Sequence, residues 1–288
     1  MREIRTRIKS VQSTQQITRA MKMISAAKLR RSQRNGESMR LFSNRIREIL
    51  GSLLTGENVS HPLLIPRPEV KKVAYLLFMG NRGMCGNYNF ALIDYMHDLV
   101  SQADKDLHVV AVGRWGYDAL TQAGVPIAEE YSDAGDIPVM EDAVTLAEHM
   151  KSMFLSGEVD EVYMVFQRYV SALQQAPDCV RLLPATAPRS HTVGERKYIF
   201  EPSRDSVLDN AVQLYVNCEV FAALQEARSA EQAARLTAMT SATDATEELI
   251  GQLSLDLNRA RQSAITTEIS EIVGGAAALR RKDDRSGR

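Results

Sequence analysis

Proline is missing from both ends of this 288-residue chain. All nine prolines lie between Pro62 and Pro202, so the 61 residues before them and the 86 after contain none. Proline removes a backbone donor and clashes with the preceding turn, so its absence leaves both end segments free to form uninterrupted helix. Aromatic residues are scarce at 6%, which suits long helices with narrow contacts better than several wide cores. Cys85, Cys179 and Cys218 are the only cysteines. An odd, widely spaced set of three gives neither a disulfide framework nor a thiolate metal site, and it fits a reducing compartment. No stretch approaches the roughly 18 uninterrupted apolar residues of a membrane span. No apolar run follows the charged start Met1-Arg2-Glu3-Ile4-Arg5, so no signal peptide is expected.

Net charge is nearly absent too, at −1, but this hides a partition. Residues 1–50 hold 13 Lys and Arg against three Asp and Glu. Residues 51–202 hold 12 against 20, and residues 203–279 hold five against 11. The tail 280–288 holds five against two. A basic end segment and an acidic one in the same chain attract each other and help set pairing.

The C-terminal segment carries sustained 3,4 spacing. Ile250, Leu253, Leu257, Ala260 and Ala264 form one block, and Ile265, Ile269, Ile272, Ala276 and Leu279 form a second, shifted around the helix. This is the rhythm of a helix laid along a partner. Upstream, the alanines Ala227, Ala230, Ala233, Ala234 and Ala238 keep helix propensity high and let helices approach closely. The N-terminal segment repeats the theme with Ile4, Ile8, Val11, Gln15 and Thr18, a neighbouring stripe of Ile17, Met21 and Ile24, and a resumption at Phe42, Ile46, Ile49 and Leu53. Gly36 is a candidate bend. One helix enters the proline-bearing centre and the other leaves it, so the simplest arrangement is an antiparallel pair. The alternative is two ordinary amphipathic helices of a bundle. At 1.5 Å per residue the last helix overhangs the first by roughly 35 Å, from about Leu255 to Leu279. That end would leave Ile265, Ile269, Ile272 and Val273 in water, so another protein is expected to enclose it.

The centre alternates strands and helices. Residues 73–79, 108–113 and 161–166 read as buried strands, and 179–184 as an edge-like strand closed by proline. Helical patterns run through Phe90, Ile93, Met96 and Leu99, around Tyr117–Leu120, and from about Met140 to Leu155. The pattern predicts a mostly parallel sheet covered on both faces. The turn Gly80-Asn81-Arg82-Gly83-Met84-Cys85-Gly86 sits between a strand and a helix, where phosphate loops occur. Its glycine spacing is not the dinucleotide fingerprint, and no Gly-Lys-Ser/Thr ending follows. Cys85 beside Arg82 is a candidate for a lowered thiol pKa, but no catalytic triad accompanies it. His61, His97, His108, His149 and His191 lack ligand spacing such as His-x-x-x-His. No residue set reads as an active site, a metal site or a cofactor site. A nucleotide-binding α/β enzyme and a basic coiled-coil nucleic-acid binder remain as rival readings.

Several motifs together carry a family resemblance. They are Ile265–Ala278; Ser229-Ala230-Glu231-Gln232-Ala233-Ala234-Arg235; Asn258-Arg259-Ala260-Arg261-Gln262; Ile4–Ile8 with Thr14–Met23; the turn Arg82–Gly86; and Glu201-Pro202. They resemble the gamma subunit of F-type ATP synthases over almost the whole length. The resemblance implies an α/β fold class in which a long antiparallel coiled coil of the N- and C-terminal helices carries an inserted Rossmann-like α/β domain. Residues 1–60 would form the first helix, 61–202 the foot domain and 203–279 the second helix; the basic tail 280–288, which the family pattern does not cover, is expected to be disordered or to touch the ring's mouth or an anionic surface.

The resemblance also implies a rotor without catalytic residues or cofactors, turned by the membrane c ring. It would sit inside a ring of alpha and beta subunits, on the cytoplasmic face of a bacterial membrane, with the ATP sites in the beta subunits. Met23, Arg261 and Gln262 match beta-subunit contacts. Ile265, Ile269, Ile272 and Val273 match a tip held in a bearing. Phe42, Phe200 and Glu201 match contacts to the c ring or epsilon subunit. Asn81 departs from the aspartate frequent in the family, the basic tail extends past the usual end, and the paired-cysteine insert of chloroplast members is absent.

Overall fold

The computed structural model describes residues 1–54, 60–125, 127–131, 137–186 and 200–286, with residues 37, 38, 40 and 275–286 as backbone only. His191 and the side chains of Ala276 and Leu279 therefore lie outside the described residues. The chain opens with α1 (Arg2–Leu53) and closes with α5 (Arg204–Ser286), helices of 52 and 83 residues. Helix α1 runs through Gly36, the candidate bend, without a break in the helix. Helix α5 takes in residues 280–286 of the basic tail.

Between the two helices lie β1 (Lys72–Phe78), α2 (Tyr88–Ser101), β2 (Asp106–Val112), α3 (Arg114–Gln122), β3 (Ile127–Tyr131), α4 (Met140–Ser156), β4 (Glu161–Tyr169) and β5 (Gln175–Leu183). The sheet order is β3-β2-β1-β4-β5. The first four strands are parallel, and β5 pairs antiparallel with β4 at the edge. Both faces are covered. One core layer gathers Leu76 and Phe78 with Met150 and Phe154 of α4, Leu50 and Leu53 of α1, and Val212, Val216 and Val220 of α5. The other gathers Leu77, Val109 and Val165 with Leu92 and Met96 of α2 and Leu120 of α3. The fifth strand, β3, was not foreseen. Its run Ile-Ala-Glu-Glu-Tyr is short and mostly exposed, so it lacks the apolar signature of its neighbours.

The chain divides into two compact units, residues 22–238 and residues 1–21 with 239–288. In the larger unit the buried or half-buried positions of α1 include Lys22, Ser25, Leu29, Ser32, Gly36, Met39, Ser43, Ile46, Leu50 and Leu53 at alternating spacings of three and four, flanked by half-buried Ala26, Lys28, Arg47, Ile49, Gly51 and Ser52. Several of these are small or polar, so an apolar scan of the sequence misses half the seam. Ser32 compensates by bonding to Gln225 Oε1 at 3.1 Å and meeting Ser229 Oγ at 2.8 Å, and Arg47 pairs with Glu219. Partner positions fall on α5 as those on α1 rise, so the helices run antiparallel. In the smaller unit the two helices are also joined: Thr18 accepts from Thr243 at 2.9 Å, and Arg19 meets Glu247 at 3.3 Å. Ile17, Ile24 and Phe42, placed on or beside the seam by their spacing, are exposed.

Candidate functional site

In a parallel sheet the ligand crevice opens at the carboxyl ends of the strands, where the connections change direction. The order β3-β2-β1-β4-β5 puts that switch point between β1 and β4. Here the crevice is occupied by the chain's own helix α5. Arg228 donates from Nη1 to the Met79 carbonyl at 3.1 Å, at the exit of β1. Arg235 Nη2 donates to the carbonyls of Arg82 and Gly83 at 3.2 and 3.3 Å. Tyr88, at the start of α2, donates its hydroxyl to the Ala227 carbonyl at 3.1 Å. Gln167 of β4 donates to the Tyr88 carbonyl at 3.3 Å.

Alanine explains how α5 reaches so deep. From Ala223 to Ala233 every residue but Glu226 is buried, and helices buried all round are core helices. The polar members of this stretch pair with one another: Glu231 takes Arg228 at 2.9 Å and Arg235 at 2.7 Å. The glycines of the turn also have local reasons. A Cβ on Gly80 would lie 3.3 Å from the Glu231 carboxylate, and Gly86 holds φ +60°. The Gly80 N–H is satisfied by Asn89 Oδ1 at 2.9 Å. Asn81 Oδ1 accepts from the backbone of Arg114 at 3.3 Å, so an amide acceptor serves the helix start there. Met84 takes φ +58° and stands exposed at the apex.

The thiols are quiet. Burial pushes the Cys85 thiol up, and the nearby Arg235 guanidinium offsets this only in part, contrary to the lowered value that a neighbouring Arg82 suggested. Burial likewise raises Cys179 and Cys218 to about 11. Among the described residues no cluster of His, Cys, Asp and Glu could hold a metal ion. A cavity of about 610 Å³ opens where Ser32, Gly36 and Met39 of α1 face Gln225 and Glu226 of α5 and Tyr169 of β4.

The residues singled out by sequence lie on exposed surface, with one exception. Met23 is 73% exposed. On α5, burial ends at Ala260, and every residue from Arg261 to Gly274 is exposed. Arg261 and Gln262 stand side by side with no side-chain partner among the described residues. Ile265, Ile269, Ile272 and Val273 project 48–66% of their surface into solvent. Phe42 and Glu201 are exposed, whereas Phe200 is half-buried against the core layer beside α4. Sequence reasoning missed the Arg228–Glu231–Arg235 cluster. Its signal was present as charges at i, i+3 and i+7 within an alanine-rich helix.

These features define a class: a helical pair bearing an α/β insert whose ligand crevice is closed by one of the helices. A family model described as ATP synthase matches residues 1–279. The chain is 42% identical to the ATP synthase gamma chain of Desulfitobacterium hafniense over 279 residues, covering 96% of this chain and 98% of that one. It is 45% identical to that of Desulforamulus reducens over 280 residues, with the same coverage. Among solved structures, a chain of the Euglena gracilis mitochondrial ATP synthase OSCP/F1/c-ring assembly aligns with a TM-score of 0.68 at 19% identity, covering 96% of this chain and 94% of that chain. A chain of the rotor of the same organism's enzyme aligns at 0.64 and 18%, covering 92% and 98%. The chain belongs to the ATP synthase gamma-chain family.

Proposed function

We propose that this chain is the non-catalytic central shaft of an F-type ATP synthase. It couples ion-driven rotation of a c ring to conformational change at ATP sites held by beta subunits, and runs in reverse during hydrolysis. The observation that carries the reading is the bare end of α5. Fourteen consecutive helical residues, from Arg261 to Gly274, are exposed, and Ile265, Ile269, Ile272 and Val273 stand among them. Apolar surface of that kind marks a site where a partner binds. Relatives identical at 42–45% over nearly their whole length carry the name of a gamma chain, which supports a ring of alpha and beta subunits as that partner.

Non-directional apolar contact suits a bearing, because it lets the tip turn without deep energy minima. Arg261 and Gln262 then form hydrogen bonds to a beta subunit that are made and broken as the shaft turns, favouring one beta conformation at a time. Met23 faces a beta subunit, and Phe42, Phe200 and Glu201 meet the c ring or the epsilon subunit. Among the described residues no helix is long and apolar enough to cross a membrane. The shaft is therefore assigned a peripheral place, reached through the c ring on the cytoplasmic face of a bacterial membrane. The crevice closed by α5 weighs against the rival reading as a nucleotide-binding enzyme.

The test is reconstitution. Mixed with an alpha–beta hexamer, the full chain is expected to join it in equal stoichiometry and to rotate during ATP hydrolysis, seen with a probe fixed to the insert. A chain that stays free of the hexamer on a sizing column would sink the reading.

A further inference from the structure

We propose that Glu231 is an internal anion, built into a two-arginine site at the crook between β1 and α2. Open sheets of this topology receive their ligands here, at the strand ends. The site has a defined wall. Gly80 forms one side, since a Cβ there would stand 3.3 Å from both Cδ and Oε1 of Glu231. Arg228 and Arg235 form the other, each bonded to a different carboxylate oxygen, at 2.9 and 2.7 Å. The side chains of all three charged residues are 3–8% exposed.

Two guanidiniums share one carboxylate, so one positive charge is left over. It is met by the carbonyls of Met79, Arg82 and Gly83, which accept from the same two arginines. This reverses the polarity of a phosphate loop, where backbone N–H groups face the anion. In this turn the carbonyls face inward, and the arginines stand between them and the anion. A lone buried carboxylate would be strongly disfavoured, as would either arginine without it. The three side chains are therefore one unit, and the arginines are set up to hold a carboxylate-sized anion whether or not it is tethered.

Tethering has a consequence. The turn Gly80–Gly86 is bonded to α5 permanently and does not respond to small anions in solution. A free anion would exchange and let the turn shift relative to the helix; Glu231 cannot leave.

Glu231→Ala removes the elements of acetate and leaves the two arginines facing an acetate-sized hole. In the full chain, this variant is expected to melt well below the native protein in sodium chloride. Sodium acetate at matched ionic strength should raise its midpoint saturably by several degrees while moving the native protein little. Glu231→Gln fills the hole without the charge, so it should also be destabilised but gain nothing from acetate. Adding Arg235→Met to Glu231→Ala should abolish the rescue. The proposal is overturned if acetate stabilises Glu231→Ala no more than the native chain, or if Glu231→Gln responds equally. It is also overturned if Glu231→Ala fails to fold even in acetate.

Discussion

Two stretches of α5 live in opposite surroundings. Residues 223–233 are buried at every position but one, whereas residues 261–274 are exposed at every position. Both are helical, and both carry apolar residues at helical spacing. What separates them is the source of the cover. The first stretch is enclosed by α1 and the α/β insert of its own chain. The second has nothing in the described chain to lie on. A 3,4 pattern thus announces that a helix has a partner, but not whether that partner is in the same chain.

The sharpest way to break this contrast is to make the same change in both stretches. Leu224 is fully buried, and Leu224→Ala should cost about 2–5 kcal/mol of chain stability. Ile269 is 56% exposed, and Ile269→Ala should move the stability of the isolated chain by no more than about 0.5 kcal/mol. Denaturant unfolding of the two variants measures the difference directly. Equal losses would mean that the exposed end is already covered within the chain.

The second test asks what covers that end. A triple change of Ile265, Ile269 and Ile272 to Ser should leave the midpoint of the free chain unchanged. Its affinity for an alpha–beta hexamer should fall at least tenfold, because each buried isoleucine side chain contributes about 1.5–3 kcal/mol. Unchanged affinity would remove the bearing from the proposal. A smaller, more specific effect is expected next door. Arg261→Ala with Gln262→Ala deletes exposed hydrogen-bonding groups, which contribute about 1.5–3 kcal/mol where a charge is involved. Hydrolysis should continue while ions pumped per ATP decline. Pumping at the native ratio in reconstituted vesicles would reject the assigned role.

Much of this was legible in the sequence, and the parts that were not share a cause. The two long helices follow from missing proline, and the strands β1, β2 and β4 from their apolar runs. The seam of α1 was only half visible, because Ser25, Ser32, Gly36 and Ser43 lie on it without being apolar. Strand β3 was invisible for the same reason: edge strands are covered on fewer sides and need less hydrophobicity. The turn after β1 could not be judged from its glycines alone. The side chain that explains Gly80 lies 151 positions away on α5, so only the fold brings Glu231 to it. The exposed set Arg261–Val273 was legible because a pattern without a partner is itself a signal.

The one half-exposed residue in the buried stretch gives a pH test. Burial raises the Glu226 carboxyl above its ordinary value of 4.5, opposed in part by Arg168 and by the backbone N–H of Tyr169. A group with a raised folded pKa contributes stability that is complete below its unfolded pKa and is lost as pH rises through the folded value. Glu226→Gln does not titrate. Its melting temperature relative to native should therefore climb from pH 4 to pH 7, and a flat difference would contradict the burial.

The smallest expected effect comes from a carboxylate with the opposite sign, on the loop before β4. Asp160 accepts from the backbone N–H groups of Lys71 and Lys72 at 2.8 and 3.0 Å, which lowers its pKa from 3.8. Its contribution is present above the unfolded value and fades as pH falls through the lower folded one. Because the site is half-exposed and screened by solvent, Asp160→Asn should shift the melting temperature only slightly at pH 7, and the gap to native should close below about pH 3.8. Paired with Glu226→Gln, whose difference also narrows toward acid pH but from the stabilised side, it distinguishes burial from hydrogen bonding as the origin of each shift. If both variants fell below native at pH 7 by the same amount, the carboxylate of Glu226 would be held by its partners as Asp160 is, and burial would no longer be the dominant influence on it.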